Sequence, residues 1–118
     1  MFGLPPDFDA SPFIGCTLEL VSFSENTINF SFDRNVSVTV EGFFDHVQGT
    51  NVNGEPLSVP VQNSQLMQLT GHSVQMAEGS EDGTLTLVFT NGQQLIVYDD
   101  LPMYESYKIN IGTTEIIV

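Results

Sequence analysis

Tryptophan is absent from this chain, and cysteine occurs once, as Cys16. A lone thiol excludes an internal disulfide, so a 118-residue chain of this kind must be held by its core. Basic residues are nearly missing as well. Arg34 and Lys108 stand against fifteen acids, for a formal net charge of −13. An average chain carries about 25% charged residues, roughly half of them acidic. The acid content is therefore ordinary, and the imbalance comes from missing base. Such a field disfavours DNA, RNA and anionic membranes as partners and leaves a basic protein as the expected one. No apolar run approaches the roughly 18 residues that span a bilayer. The opening Met1-Phe2-Gly3-Leu4-Pro5-Pro6-Asp7 has neither a basic start nor a long apolar stretch, so a cytoplasmic protein without a secretory leader is expected. No phosphate-binding glycine loop, dinucleotide fingerprint, nucleophile elbow or zinc-protease motif is present. No cofactor and no metal site are expected.

What is present is self-similarity. Gly15-Cys16-Thr17-Leu18-Glu19-Leu20 matches Gly71-His72-Ser73-Val74-Gln75-Met76 at an offset of 56, and Ile28, Phe30, Phe32, Val38 and Val40 fall on Leu85, Leu87, Phe89, Leu95 and Val97 at 57. One inserted residue in the intervening loop accounts for the change. The expectation is a single domain, 1–118, with residues 15–41 duplicated as 71–98.

Each copy reads as a three-stranded meander. Thr27 to Phe32 and Val36 to Glu41 alternate polar and apolar without a slip, the signature of half-buried strands. The hairpin loop follows from parity. A two-residue loop at Asn91-Gly92 would throw Leu95 to the face opposite Phe89. A three-residue loop, Thr90-Asn91-Gly92, pairs Leu87 with Leu95 and Leu85 with Val97, so all large apolar residues share one face. It also puts Gly92 where a type I turn plus bulge needs a left-handed backbone. The first copy follows with Asp33-Arg34-Asn35 and a left-handed Asn35.

Outside the copies, Ser64 to Leu69 reads as a short helix, and Ser11 to Ile14 as a single turn. Asn53-Gly54 marks a turn, and Leu57 to Val61 an edge strand, because Pro60 cannot donate to a ladder. A C-terminal hairpin turns at Gly112-Thr113. The outward face of the second copy carries Val88, Ile96 and Tyr98, and needs a cover. The C-terminal hairpin is the expected cover; a second copy of the chain, forming a structural homodimer, is the alternative. The fold class is thus mainly β: two pseudo-symmetric antiparallel meanders packed as a sandwich or partly open barrel, with one short helix near 64–70 and a C-terminal β-hairpin.

The sequence names no activity, and a non-catalytic protein is expected over an enzyme. Cys16 and His72 occupy equivalent positions, and a thiol beside an imidazole would begin a cysteine nucleophile or line a small-ligand cleft between the copies. The bland alternative is a buried apolar thiol and a strand or capping histidine, and no protease signature surrounds Cys16. Glu78, Glu81 and Asp82 share a loop, but without calcium-site spacing. His46 lacks a spaced second ligand for zinc. Tyr98, Tyr104 and Tyr107 gather with Asp99, Asp100 and Glu105, as on a protein-binding face where aromatics anchor and acids steer a basic partner.

The run from Gly83 to Val97, a G-x-L-x-L-x-F-x-x-G-x-x-L-x-V hairpin, followed by Tyr104-Glu105-Ser106-Tyr107, resembles an uncharacterised bacterial family of small, acidic, β-rich proteins. The likeness spans about a third of the chain. It implies a bacterial cytoplasmic protein without assigned catalysis. By analogy, small acidic β-rich bacterial proteins include immunity proteins that neutralise toxins.

Overall fold

The computed structural model describes residues 3–50, 56–59, 66–101 and 105–118. Within them run ten strands: β1 (Leu18–Phe23), β2 (Ile28–Phe32), β3 (Val36–Val40), β4 (Phe44–Thr50), β5 (Pro56–Val59), β6 (Val74–Gly79), β7 (Leu85–Phe89), β8 (Gln94–Val97), β9 (Tyr107–Ile111) and β10 (Thr114–Ile117). They form two antiparallel five-stranded sheets, ordered β1-β2-β3-β9-β10 and β5-β4-β8-β7-β6. The sheets face each other as a sandwich without closing into a barrel. The inward side chains of both meet in one core that includes Phe30, Phe32, Val38, Leu85, Leu87, Phe89 and Leu95.

The period-two pattern gives the register directly. Ile28 pairs with Val40 and Phe30 with Val38, while Leu85 pairs with Val97 and Leu87 with Leu95. Phe89 N donates to Gln93 O at 2.9 Å, closing the three-residue loop with Gly92 at φ +83°. In the first meander the pairing is as expected, but the loop backbone differs. Both Arg34 (φ 61°) and Asn35 (φ 59°) are left-handed. Val36 N reaches Asp33 O at 3.4 Å, so a turn of two left-handed residues replaces the type I turn.

Equivalent positions behave alike down to their irregularities. β1 bulges between Leu18 and Leu20 against β2, and β6 between Val74 and Met76 against β7. Before each meander a 3-10 turn ends on a left-handed glycine. Ser11–Phe13 leads to Gly15 (φ 86°), and Leu66–Leu69 leads to Gly71 (φ 83°). The helix expected near 64–70 is therefore a single 3-10 turn, with Leu66 and Leu69 buried; Ser64 itself lies outside the described residues.

The C-terminal hairpin, β9–β10, is not a cover for the second sheet's outer face. It extends the first sheet, with Ile109 opposite Val38 and Tyr107 opposite Val40. The segment after the first meander does the reverse: β4 joins the second sheet with Phe44 opposite Val97 and His46 opposite Leu95. Each meander leaves an open strand edge at β3 or β8, and the hairpin from the other half satisfies its backbone groups. β5 forms the outer edge of the second sheet, where a proline-flanked strand belongs. Pro60 and the Asn53-Gly54 turn lie outside the described residues.

Candidate functional site

Cys16 and His72 flank the contact where the two halves join. Their backbones belong to one short ladder, with Val74 N donating to Cys16 O at 2.8 Å and Leu18 N to His72 O at 3.0 Å. Their side chains take different partners. The Cys16 thiol is buried and donates to Pro12 O at 3.2 Å. Burial pushes its pKa up, with nearby Asp33 adding to the rise and Arg34 opposing it. His72 Nδ1 lies 3.2 Å from Thr90 Oγ1. A thiol held protonated in the core is a poor nucleophile.

The acidic tyrosine cluster divides. Asp100 and Glu105 are exposed. Asp99 is half-buried and structural: Oδ1 accepts from Ser106 Oγ at 3.0 Å and Oδ2 from Gly3 N at 2.8 Å. Tyr98 donates its hydroxyl to Asp45 Oδ2 at 2.6 Å. Burial, and then Asp45, push its pKa up to about 12. Tyr107 is buried, with its hydroxyl donating to Gly83 O at 2.6 Å, so its place is the core and not the surface cluster. Tyr104 lies outside the described residues. Alternation explains Tyr107: it is the first inward position of β9, beside the core residue Val40.

His46 is fully buried, with Nε2 2.7 Å from Gln93 Oε1. Gln93 Nε2 donates onward to Gln68 Oε1 at 3.0 Å, which also accepts from Gln48 Nε2 at 3.2 Å. Because Gln93 presents its oxygen, His46 Nε2 carries the proton. The network ties the second 3-10 turn to β4 and to the hairpin loop. Among the described residues no three of His, Cys, Asp and Glu gather to hold a metal ion. Asp82 accepts from Ser80 Oγ and from Thr84 N at 3.1 Å, an exposed turn closing on itself.

An apolar feature open to solvent lies at the end of the sandwich in the first half. A groove of about 320 Å³ runs between the β1–β2 turn and the β3–β4 connection. Ile28, Val40 and Phe44 line its apolar side, Glu25 and Glu41 its polar one. Phe23 overhangs it with 67% of its surface exposed. Phe43, next to the lining residue Gly42, is 63% exposed. Asp100 continues the acidic edge, since its Oδ1 lies 3.5 Å from where a Gly42 Cβ would stand. Glu105 follows, sharing a small depression with Glu41 and Lys108. Among the described residues of the expected binding cluster, Asp100 and Glu105 lie along this acidic edge, and Tyr98 N donates to Phe43 O at 3.0 Å. The sequence did carry a signal for the groove: Phe23 ends β1 beside the Ser24-Glu25-Asn26 turn, where a large apolar side chain meets a polar loop.

The outward face of the second sheet is partly apolar. Val88 and Ile96 are half-buried, and Met76, opposite Val88, is 62% exposed. The first sheet's outer face is polar, with Thr39 Oγ1 donating to Asn29 Oδ1 at 2.8 Å.

A family model described as a family of unknown function, DUF6188, matches residues 10–118. The chain belongs to that family. No curated protein and no solved structure matches it.

Proposed function

We propose that this DUF6188 member is a non-catalytic protein-binding module whose acidic surface meets a basic partner protein. One observation carries the reading. Phe23 stands mostly in water at a groove lined by Glu25 and Glu41, with Asp100 beside Gly42 and the mostly exposed Phe43 next along the chain. Exposed aromatics ringed by charge are the usual anatomy of an interface, with rings supplying affinity and charge supplying encounter rate. A net charge of −13 favours a cationic partner over any polyanion. The resemblance noted above adds a bacterial, cytoplasmic setting and an immunity-like role, binding a basic toxin or regulated protein. The shared registers and bulges support descent of residues 15–41 and 71–98 from one doubled unit within one domain.

The test is a pull-down from native lysate with the wild-type chain and with a variant carrying Glu25→Gln, Glu41→Gln, Asp100→Asn and Glu105→Gln. A cationic protein held by wild type at low salt, and lost from the variant and at high salt, is the expected result. Equal recovery by both chains would end the reading.

A second reading, a structural homodimer through Val88, Ile96 and Tyr98, is favoured by the exposure of Met76 on that same face. Mass measurement in solution decides it: a strict monomer at high concentration removes it.

A further inference from the structure

At the equivalent place in the second half, a segment of the chain itself lies against the strand. Gly79 stands in β6 where Phe23 stands in β1: Phe23 pairs with Ile28, and Gly79 with its counterpart Leu85. The N-terminal segment lies against Gly79. A Cβ there would come within 2.7 Å of both Leu4 Cδ1 and Phe8 Cδ2. Leu4 and Phe8 pack against the core, and Phe8 N donates to Pro5 O at 3.0 Å, so a proline turn brings the two side chains together. The segment is anchored by Gly3 N on the Asp99 carboxylate at 2.8 Å. One end of the sandwich thus carries a short apolar turn held against an acid, with a cavity of about 360 Å³ between that turn and Gly79, Ser80 and Glu81. At the equivalent end of the first half, Phe23 overhangs an open groove, with Glu25, Glu41 and Asp100 around it.

Resting on the protein-binding reading above, we infer that the Phe23 groove is the docking site for a short proline-containing segment of a basic partner. That segment places an aliphatic or aromatic side chain against Ile28, Val40 and Phe44 and a lysine or arginine against Glu25 and Glu41. The lysine or arginine follows from charge complementarity: the groove's charged lining is acidic, whereas the chain's own plug carries Asp7. The larger Phe23 ring replaces the bare backbone of Gly79, so the partner's apolar group packs against the ring instead of over the strand.

The probe is a synthetic amidated peptide, Gly-Leu-Pro-Pro-Lys-Phe-Lys, titrated into the full chain while backbone amide shifts are recorded. A control peptide of equal charge has serine in place of the leucine and phenylalanine. The expected result is saturable shifts at Ile28, Val40 and Phe44. Affinity should be about tenfold or more above the control, from the apolar area buried. Phe23→Ser, at a mostly exposed site, should weaken the apolar peptide and leave the fold intact. Equal binding of both peptides, with shifts confined to Asp100 and Glu105, would overturn the groove and leave the electrostatic reading standing. No binding, or shifts at Gly79 to Gly83 instead, would also overturn the groove inference; the lysate pull-down judges the broader reading separately.

Discussion

The hydroxyls of Thr17 and Ser73 meet at 2.9 Å, and their backbones form an isolated antiparallel bridge. Around this contact the hydrogen bonds are reciprocal. Gly15 N donates to Val74 O and Gly71 N to Leu18 O, both at 2.8 Å. Thr17 O accepts from Asp33 N and Ser73 O from Thr90 N, at 3.0 and 2.9 Å. The pseudo-two-fold axis passes through this bridge, so the two sheets are joined where equivalent residues touch.

Removing the hydroxyl pair should cost little singly and show coupling. Thr17→Val and Ser73→Ala are each expected to destabilise by about 0.5–1.5 kcal/mol, since both side chains are only half-buried. A double-mutant cycle by urea unfolding should return a coupling of about 0.5 kcal/mol or more. Strict additivity would show that the hydroxyls do not interact in solution.

His46 should make stability depend on pH. Burial lowers its pKa from the ordinary 6.5, with the Gln93 hydrogen bond opposing. Above that range both folded and unfolded chains hold a neutral ring, and the native state is fully stable. As pH falls below 6.5, the unfolded chain takes up a proton that the folded chain refuses. Stability then drops by up to about 1.4 kcal/mol per pH unit until the depressed native value is reached. His46→Ile, which installs the residue type found at the equivalent Ile109, should flatten this part of the profile. Parallel urea titrations from pH 5 to 8 would show it; identical slopes for both chains would refute the assignment.

Tyr107 and Gly83 form a second tie. Tyr107→Phe leaves the Gly83 carbonyl without its buried donor and should cost about 1–3 kcal/mol. Gly83→Ala is expected to be at least as damaging, because φ is +89° and the new Cβ would stand 2.7 Å from Asp99 Cβ. Thermal denaturation ranks the two. A neutral Gly83→Ala would mean that the Asp99 loop is free to move aside.

Cys16 should resist alkylation. Its thiol is buried and its pKa raised, so a mild reagent at neutral pH should label the native chain far more slowly than the urea-unfolded one. Rapid native labelling, followed by mass spectrometry, would reopen the nucleophile reading of Cys16 and His72.

Much of the meander was legible because its rules are local. Side chains alternate across a strand, so Phe30, Val38, Leu87 and Leu95 announce their shared face and fix both hairpin registers. Gly92 marks a left-handed position that glycine takes without strain and Asn35, its counterpart, tolerates. The left-handed Arg34 was not legible, since nothing in arginine asks for that backbone. Tyr107 was misplaced for a related reason. Its acidic neighbours suggested surface, whereas one step of strand parity carried its ring inward. His46 looked isolated along the chain because its partner Gln93 is 47 residues away.

The order of amino acids determined the strands, their inward faces, the hairpin turns and the likeness of the two halves, since each depends on neighbours within a few residues. Only the tertiary structure decided which open edge received which hairpin. Backbone edges are chemically alike, and no side chain labels β3 as the seat of β9 or β8 as the seat of β4. The tertiary structure likewise decided that Leu4 and Phe8 pack against Gly79 at one end of the sandwich while Phe23 borders a groove at the other. That difference turns on room beside Gly79, a property of space that no stretch of sequence displays.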